Sequence, residues 1–231
     1  MGVTKMGETP KGTLFTISAP SGAGKTSLVR ALLDQDDNTQ VSVSFTTRAM
    51  RPGELDGRDY HFIDKNRFDD MLANTEFLEH AKVFTNYYGT SQAWVDAALA
   101  RGKDVILEID WQGAAQIRGL LPETEGIFIL PPSRGCLQER LRGRGQDDEA
   151  VIEERMQEAK NEMSHFIDAQ WLIINDDFEQ ALIELKSIVL AQRLKAYSQQ
   201  QKYGSLLVDL LSWATILSTI LCLTLFLFTL G

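Results

Sequence analysis

Thr13-Leu-Phe-Thr-Ile-Ser18 runs directly into Ala19-Pro-Ser-Gly-Ala-Gly-Lys-Thr26, and from Lys25 to Leu33 the apolar residues recur at helical spacing. A β-branched run, a glycine-rich loop and a helix in that order predict a strand that turns into a helix N-terminus. The loop has the Walker A spacing, with Ala19 where the first glycine would stand. Gly22 and Gly24 keep side chains out of the way, so backbone N–H groups can turn inward onto β- and γ-phosphate oxygens. Ala19, Pro20, Ser21, Gly22, Ala23, Gly24, Lys25 and Thr26 are therefore the expected cradle for the phosphates of a nucleoside triphosphate. Lys25 supplies a point charge, and the Thr26 hydroxyl is placed to join the shell of a Mg²⁺ ion that travels with ATP. By itself such a loop specifies a nucleoside triphosphate and no particular reaction.

Outward from the loop, compact apolar runs at Val41–Phe45, Asp104–Ile109, Gly126–Leu130 and Trp171–Ile174 read as further strands. Helical patterns cover 91–100, 133–141, 149–163 and 178–196. Strands alternating with helices predict an α/β fold, a P-loop NTPase-type parallel sheet flanked by helices. Two stretches fit that sheet poorly. Residues 46–90 are rich in Arg, Tyr, Asp and Gly, and residues 142–148 form a Gly/Arg/Asp cluster inside a helical region. Both read as excursions of the kind that carry substrates and lids.

The chain has 231 residues, enough for one sizeable core, and 32 acidic against 23 basic residues give a net charge of −9. That balance argues against a nucleic-acid partner. Cys136 and Cys222 have neither zinc-site spacing nor disulfide-scaffold density, so two reduced thiols in a cytoplasmic protein are expected. The polar stretch 1–11 reads as a loose arm without the apolar core of a signal peptide. At the other end, no charged residue occurs from Leu210 to Leu230, a length that at about 1.5 Å per residue spans a hydrocarbon core of about 30 Å. Arg193, Lys195 and Lys202 precede this run and would keep the body of the protein on the cytoplasmic side. Six Ser and Thr residues between Ser212 and Thr229 weaken insertion. Membrane contact through 206–230, packing against a partner or the core, and an anomalous C-terminus all stay open for this segment.

The acceptor side is read from Ser44-Phe-Thr-Thr-Arg48-Ala-Met-Arg51-Pro-Gly-Glu-Leu-Asp-Gly-Arg-Asp-Tyr60, from Glu79 in Phe-Leu-Glu-His, and from Asn86-Tyr-Tyr88-Gly-Thr90. With Ile109-Asp-Trp-Gln-Gly113, Gly143-Arg-Gly145 and Asn175-Asp-Asp177, these runs resemble the guanylate kinase family over about residues 12–203. The resemblance implies transfer of the γ-phosphate of ATP to GMP. It also implies a core at 12–45 and 101–203, a GMP-binding insert at 46–100 and a lid at about 140–155, leaving 204–231 as an apolar tail. Arg48 and Arg51 would hold the GMP phosphate with guanidinium forks, and Tyr60 and Tyr88 would add phenolic hydrogen bonds. Guanine presents N1–H and N2–H₂ as adjacent donors. By resemblance Glu79 accepts both, with Asp110 close by and the hydroxyls of Ser44 and Thr90 on the base edge. Adenine, with an acceptor at N1, would meet carboxylate lone pairs and be rejected.

Lys25, Arg140, Arg144 and Arg155 are the catalytic residues the resemblance implies, the three arginines closing over the ATP phosphates. Asn175 resembles an adenine-side contact, although a structural end-of-strand role fits it equally. Asp110 also suits the N-cap of a helix beginning near Trp111. Glu108 stands where relatives commonly carry Asp, which puts its contact to Mg²⁺ or water in question. His61, His80 and His165 need no catalytic part, since a phosphate is already an anionic nucleophile. Two rival readings remain: a non-catalytic binding module of the same family, and a P-loop kinase for another phosphorylated acceptor. Oligomeric state is not legible.

Overall fold

A computed structural model describes residues 10–83, 85–143 and 149–212. Within 11–190, a compact unit, a five-stranded parallel sheet has β1 (Leu14–Ser18) at its centre. Around it lie β2 (Thr39–Val41), β7 (Asp104–Glu108), β8 (Glu125–Leu130) and β9 (Trp171–Ile174) in the order β2-β7-β1-β8-β9. Every residue of β1 is buried, as expected for a strand covered on both faces.

The period of two along the strands divides the core. Phe15 and Ile17 of β1 and Ile106 of β7 face α1 (Lys25–Leu33) and α7 (Phe178–Arg193), packing with Leu28, Leu32, Leu182 and Leu185. Leu14, Val105 and Leu107 point the other way, onto α3 (Gln92–Ala100) and α4 (Trp111–Leu120), where Val95, Leu99 and Ile117 meet them. Phe15 has no exposed surface. Phe15→Ala is therefore expected to cost about 3–5 kcal/mol of unfolding free energy, read from the urea midpoint at unchanged m-value.

One expected strand is two. The run 41–45 breaks, because Val41 pairs with Ile106 in the parallel sheet while Phe45 pairs with His61 and Gly89 in a second one. Ser42 N–H still donates to Ile106 O (2.9 Å), and the chain then leaves. The second sheet joins β3 (Phe45–Thr46), β4 (His61–Phe62), β5 (Phe77–Val83) and β6 (Asn86–Ser91) in the order β4-β3-β6-β5. Only the β3–β4 pair is parallel. α2 (Lys65–Ala73) lies against this sheet through Phe68, whose ring packs at a tilt against Phe77 (centroids 4.6 Å apart) and Tyr87 (5.5 Å).

The helices begin where short polar side chains accept backbone N–H groups. Asp64 accepts from Arg67 N–H, Ser91 from Trp94 N–H, Asp110 from Gly113 N–H and, before α5 (Arg134–Arg142), Ser133 from Cys136 N–H. α6 (Glu149–Ser164) follows and leads through a 3-10 turn (His165–Asp168) to β9. Trp111 and His165 stack with ring centroids 3.8 Å apart, which fastens the far end of α6 to the start of α4. The unit that includes 191–231 contains α8 (Ala196–Lys202). Among the described residues no helix is long and apolar enough to cross a membrane, and most of 206–230 lies outside them.

Candidate active site

β1 ends at Ser18 and the chain folds through the glycine-rich loop into α1, with Gly24 as N-cap. Gly22 and Gly24 both take left-handed backbone angles, φ 92° and 94°, a region in which a Cβ is strained. Space is short as well, so neighbouring side chains would have to shift. A Cβ on Gly24 would lie 2.3 Å from Asn175 Nδ2, and one on Gly22 would lie 3.0 Å from Leu137 Cδ1. Ala23 is buried, and its carbonyl accepts from Asn175 Nδ2 at 2.7 Å. Asn175 thus braces the loop from the end of β9 and faces its backbone.

Arg140 reaches the same brace. One terminal nitrogen donates to Asn175 O (2.9 Å), while Nη1 is buried with no hydrogen-bond acceptor among the described residues. Such an N–H group is costly unless an acceptor meets it. Arg155 lies on α6, and Arg144 lies outside the described residues.

Lys25 extends from the first position of α1 to Ile109 O, 3.5 Å away at the end of β7. Next to it, the Thr26 hydroxyl donates to Glu108 Oε2 at 2.9 Å. The extra methylene of Glu108 therefore does not prevent contact with the loop. Hydroxyl and carboxylate oxygens are the hard donors that Mg²⁺ prefers. Among the described residues no cluster of three His, Cys, Asp or Glu side chains is gathered for a metal, so a cation here would need phosphate oxygens or water to complete its shell.

Across a cleft of about 320 Å³ the loop faces Ser44, Tyr60, Glu79 and Tyr88, with Glu108, Ile109, Asp110 and Glu162 also on its wall. The second sheet positions the acceptor-side residues, since β5 and β6 pair antiparallel and set Glu79 opposite Thr90. Thr90 Oγ1 donates to Glu79 Oε1 at 2.6 Å, both groups buried. Burial pushes the Glu79 carboxyl up to about 7, the Thr90 hydrogen bond pulling it down and nearby Asp110 raising it. Its other oxygen lies in space left by Gly113, where a Cβ would stand 2.6 Å from Oε2. Asp110 caps α4 through Gly113 N–H (2.9 Å) and accepts from Gln112 Nε2. The capping role and the place in the cleft coexist.

Arg48 and Arg51 stand outside the cleft wall. Arg48 donates to Glu54 Oε1 at 2.7 Å and lies 5.3 Å from the centroid of the Tyr60 ring. Glu54 is held below the usual carboxylate range, first by that bond and also by Arg51 N–H. The Tyr60 phenol is pushed up by burial and by Tyr88, whose ring lies edge-on at 5.9 Å. Sequence reasoning missed Glu54, Gly113 and Glu162. For the first two a signal existed: an acid three residues after Arg51, and a glycine three residues after a capping aspartate.

A parallel sheet with a phosphate-type loop at the end of its central strand, facing a polar cleft on an inserted sheet, defines a P-loop kinase. The family model for guanylate kinase matches residues 11–192. The guanylate kinase of Saccharophagus degradans is 63% identical over 204 residues, covering 88% of this chain and 100% of that protein. That of Vibrio vulnificus is 55% identical over 204 residues, 87% of this chain and 99% of the relative. The crystal structure of guanylate kinase from Anaplasma phagocytophilum superposes with a TM-score of 0.69 at 31% identity, covering 82% of this chain and 90% of that one. The chain belongs to the guanylate kinase family.

Proposed function

We propose that the glycine-rich loop and the cleft of the second sheet are the donor and acceptor sites of an ATP:GMP phosphotransferase. The reaction is transfer of the γ-phosphoryl group of ATP to GMP, giving ADP and GDP. One observation carries the choice of acceptor: a buried carboxylate, Glu79, oriented by Thr90 inside the cleft that faces the loop. Its free lone pairs match the adjacent N1–H and N2–H₂ donors of guanine. Asp110, Ser44 and Thr90 complete the base side. Tyr60 and Tyr88 serve the acceptor phosphate, joined by Arg48 and Arg51 at the edge of the cleft.

The loop residues 19–26 hold the donor phosphates. Lys25 and the lid arginines Arg140, Arg144 and Arg155 offset the charge of the moving phosphoryl group, which needs positioning and electrostatic stabilisation more than covalent help. Thr26 would hold a Mg²⁺ ion arriving with ATP, which would neutralise charge on the donor phosphates, with Glu108 orienting the Thr26 hydroxyl. Asn175 keeps the loop in shape from behind. The division of the chain follows the same logic, with a core at 12–45 and 101–203, an acceptor insert at 46–100 and a lid at about 140–155.

Measuring ADP formation with GMP, AMP, UMP and ribose phosphates as acceptors tests the assignment. GMP is expected to be strongly preferred, and comparable turnover of any other acceptor would overturn it. Gly113→Ala provides a sharper test of the base site. The added methyl group displaces the Glu79 carboxylate, so GMP affinity is expected to fall roughly tenfold or more while ATP affinity holds. Equilibrium titration with each nucleotide measures both.

The C-terminal stretch 206–230 is a separate matter, and the charge-free run of Leu210–Leu230 favours membrane contact with the kinase in the cytoplasm. Co-sedimentation of the full chain with phospholipid vesicles checks it; a protein left entirely in the supernatant removes the idea.

A further inference from the structure

Among the described residues, Glu162 is the one acid of α6 that lines the cleft. Its Oε2 accepts from Ser21 N–H of the phosphate loop at 3.3 Å. Such N–H groups, with Lys25 beside them, are what a donor phosphate oxygen requires. We propose that Glu162 is a positioning residue that competes with the donor triphosphate for the phosphate loop, its carboxylate yielding Ser21 N–H and the field of Lys25 when ATP binds. The inference rests on the loop being the ATP site.

The surroundings make the carboxylate a weak competitor, as an internal one must be. Burial pushes it up to about 7, with Ser21 N–H and Lys25 of α1 pulling down and Asp110 before α4 and Glu158 of its own helix raising it. Above that value it is charged. Two anions cannot then share one cradle, so an arriving phosphate expels the carboxylate.

Glu162→Gln keeps the shape and removes the charge. At pH 8 we expect ATP, and inorganic tripolyphosphate as a probe without base or sugar, to bind the full-length variant roughly threefold to tenfold tighter than wild type. GMP affinity should be unchanged, KM for ATP should fall, and kcat should not rise. At pH 6, where the wild-type carboxyl is protonated, the difference should shrink. A purely structural Glu162 would instead show a lower melting temperature with ATP and tripolyphosphate affinity unchanged or weaker, and that result overturns the proposal. Glu162→Asp, which restores charge, is expected to return ATP affinity toward wild type; if it binds ATP as tightly as the Gln variant, competition by charge is refuted. Wild-type protein that neither binds ATP nor turns over GMP would indict the functional reading instead, so the two failures are distinguishable.

Discussion

Lys25→Ala is expected to lower kcat by about 10³-fold while leaving GMP affinity nearly intact. The side chain runs from the first turn of α1 toward Ile109 O, across the floor of the donor side. There its ammonium is, among the described residues, the one formal positive charge on the cleft wall, whose acids include Glu79, Glu108, Asp110 and Glu162. Removing it leaves the backbone cradle to hold phosphates among carboxylates, so the charge that gathers in the transition state loses its nearest fixed counter-charge. The groups proposed for guanine and the acceptor phosphate sit on the second sheet, on the loops beside it and, for Asp110, at the N-cap of α4, and none of them is altered. A coupled assay for ADP with a parallel GMP titration measures the split. Equal loss of turnover and GMP binding would contradict the assignment of donor and acceptor roles to the two faces of the cleft.

Glu79→Gln is expected to cut kcat/KM for GMP roughly 100-fold or more and to narrow the preference over AMP. The amide offers one oxygen where the base presents two donors, and its NH₂ group opposes the other. The same variant carries a signature in stability. Because the folded chain holds the Glu79 proton more tightly than the unfolded chain does, it binds more protons between the ordinary value of 4.5 and about 7. Unfolding free energy contributed by this group therefore falls as pH rises through that window, by about 1–3 kcal/mol. The Gln variant should lose that part of the slope in urea unfolding at pH 5 and pH 8. With GMP bound by the carboxylate as proposed, affinity should rise from pH 6 to pH 8 in wild type and do so less in the variant. An identical pH slope in both proteins would place the proton elsewhere.

The donor half was legible in the sequence because its physics is local. A strand, a loop with Gly22 and Gly24, and a helix opened by Lys25 are consecutive in the chain, and the polar caps Ser91 and Ser133 announce α3 and α5 to within a residue. The second sheet hid behind its composition. Its strands carry Glu79, His80, Lys82, Tyr87 and Tyr88, and they gain burial from α2 and from one another in place of continuous apolar runs. The split at 42–44 was invisible for a related reason, since Val41 and Phe45 look like one strand when the partner strands are unknown. Only long-range pairing within the chain, Val41 with Ile106 and Phe45 with Gly89, separates them. Glu162 was hidden by its neighbours, being one acid among several on α6. Its distinction is a distance to Ser21 N–H, across 141 positions of sequence.

The Arg48–Glu54 pair bears on how this site would be inhibited. A guanidinium already neutralised by a carboxylate at 2.7 Å and resting on Tyr60 offers little to a ligand that brings a single negative charge. Such a ligand must replace a charge-assisted hydrogen bond of comparable strength. A dianionic group gains more, because it can engage Arg48 and still draw on the tyrosines. Drug-like acceptor mimics built on a carboxylic acid or a monoanionic sulfonamide should therefore bind poorly for their size, and phosphonates should retain their affinity.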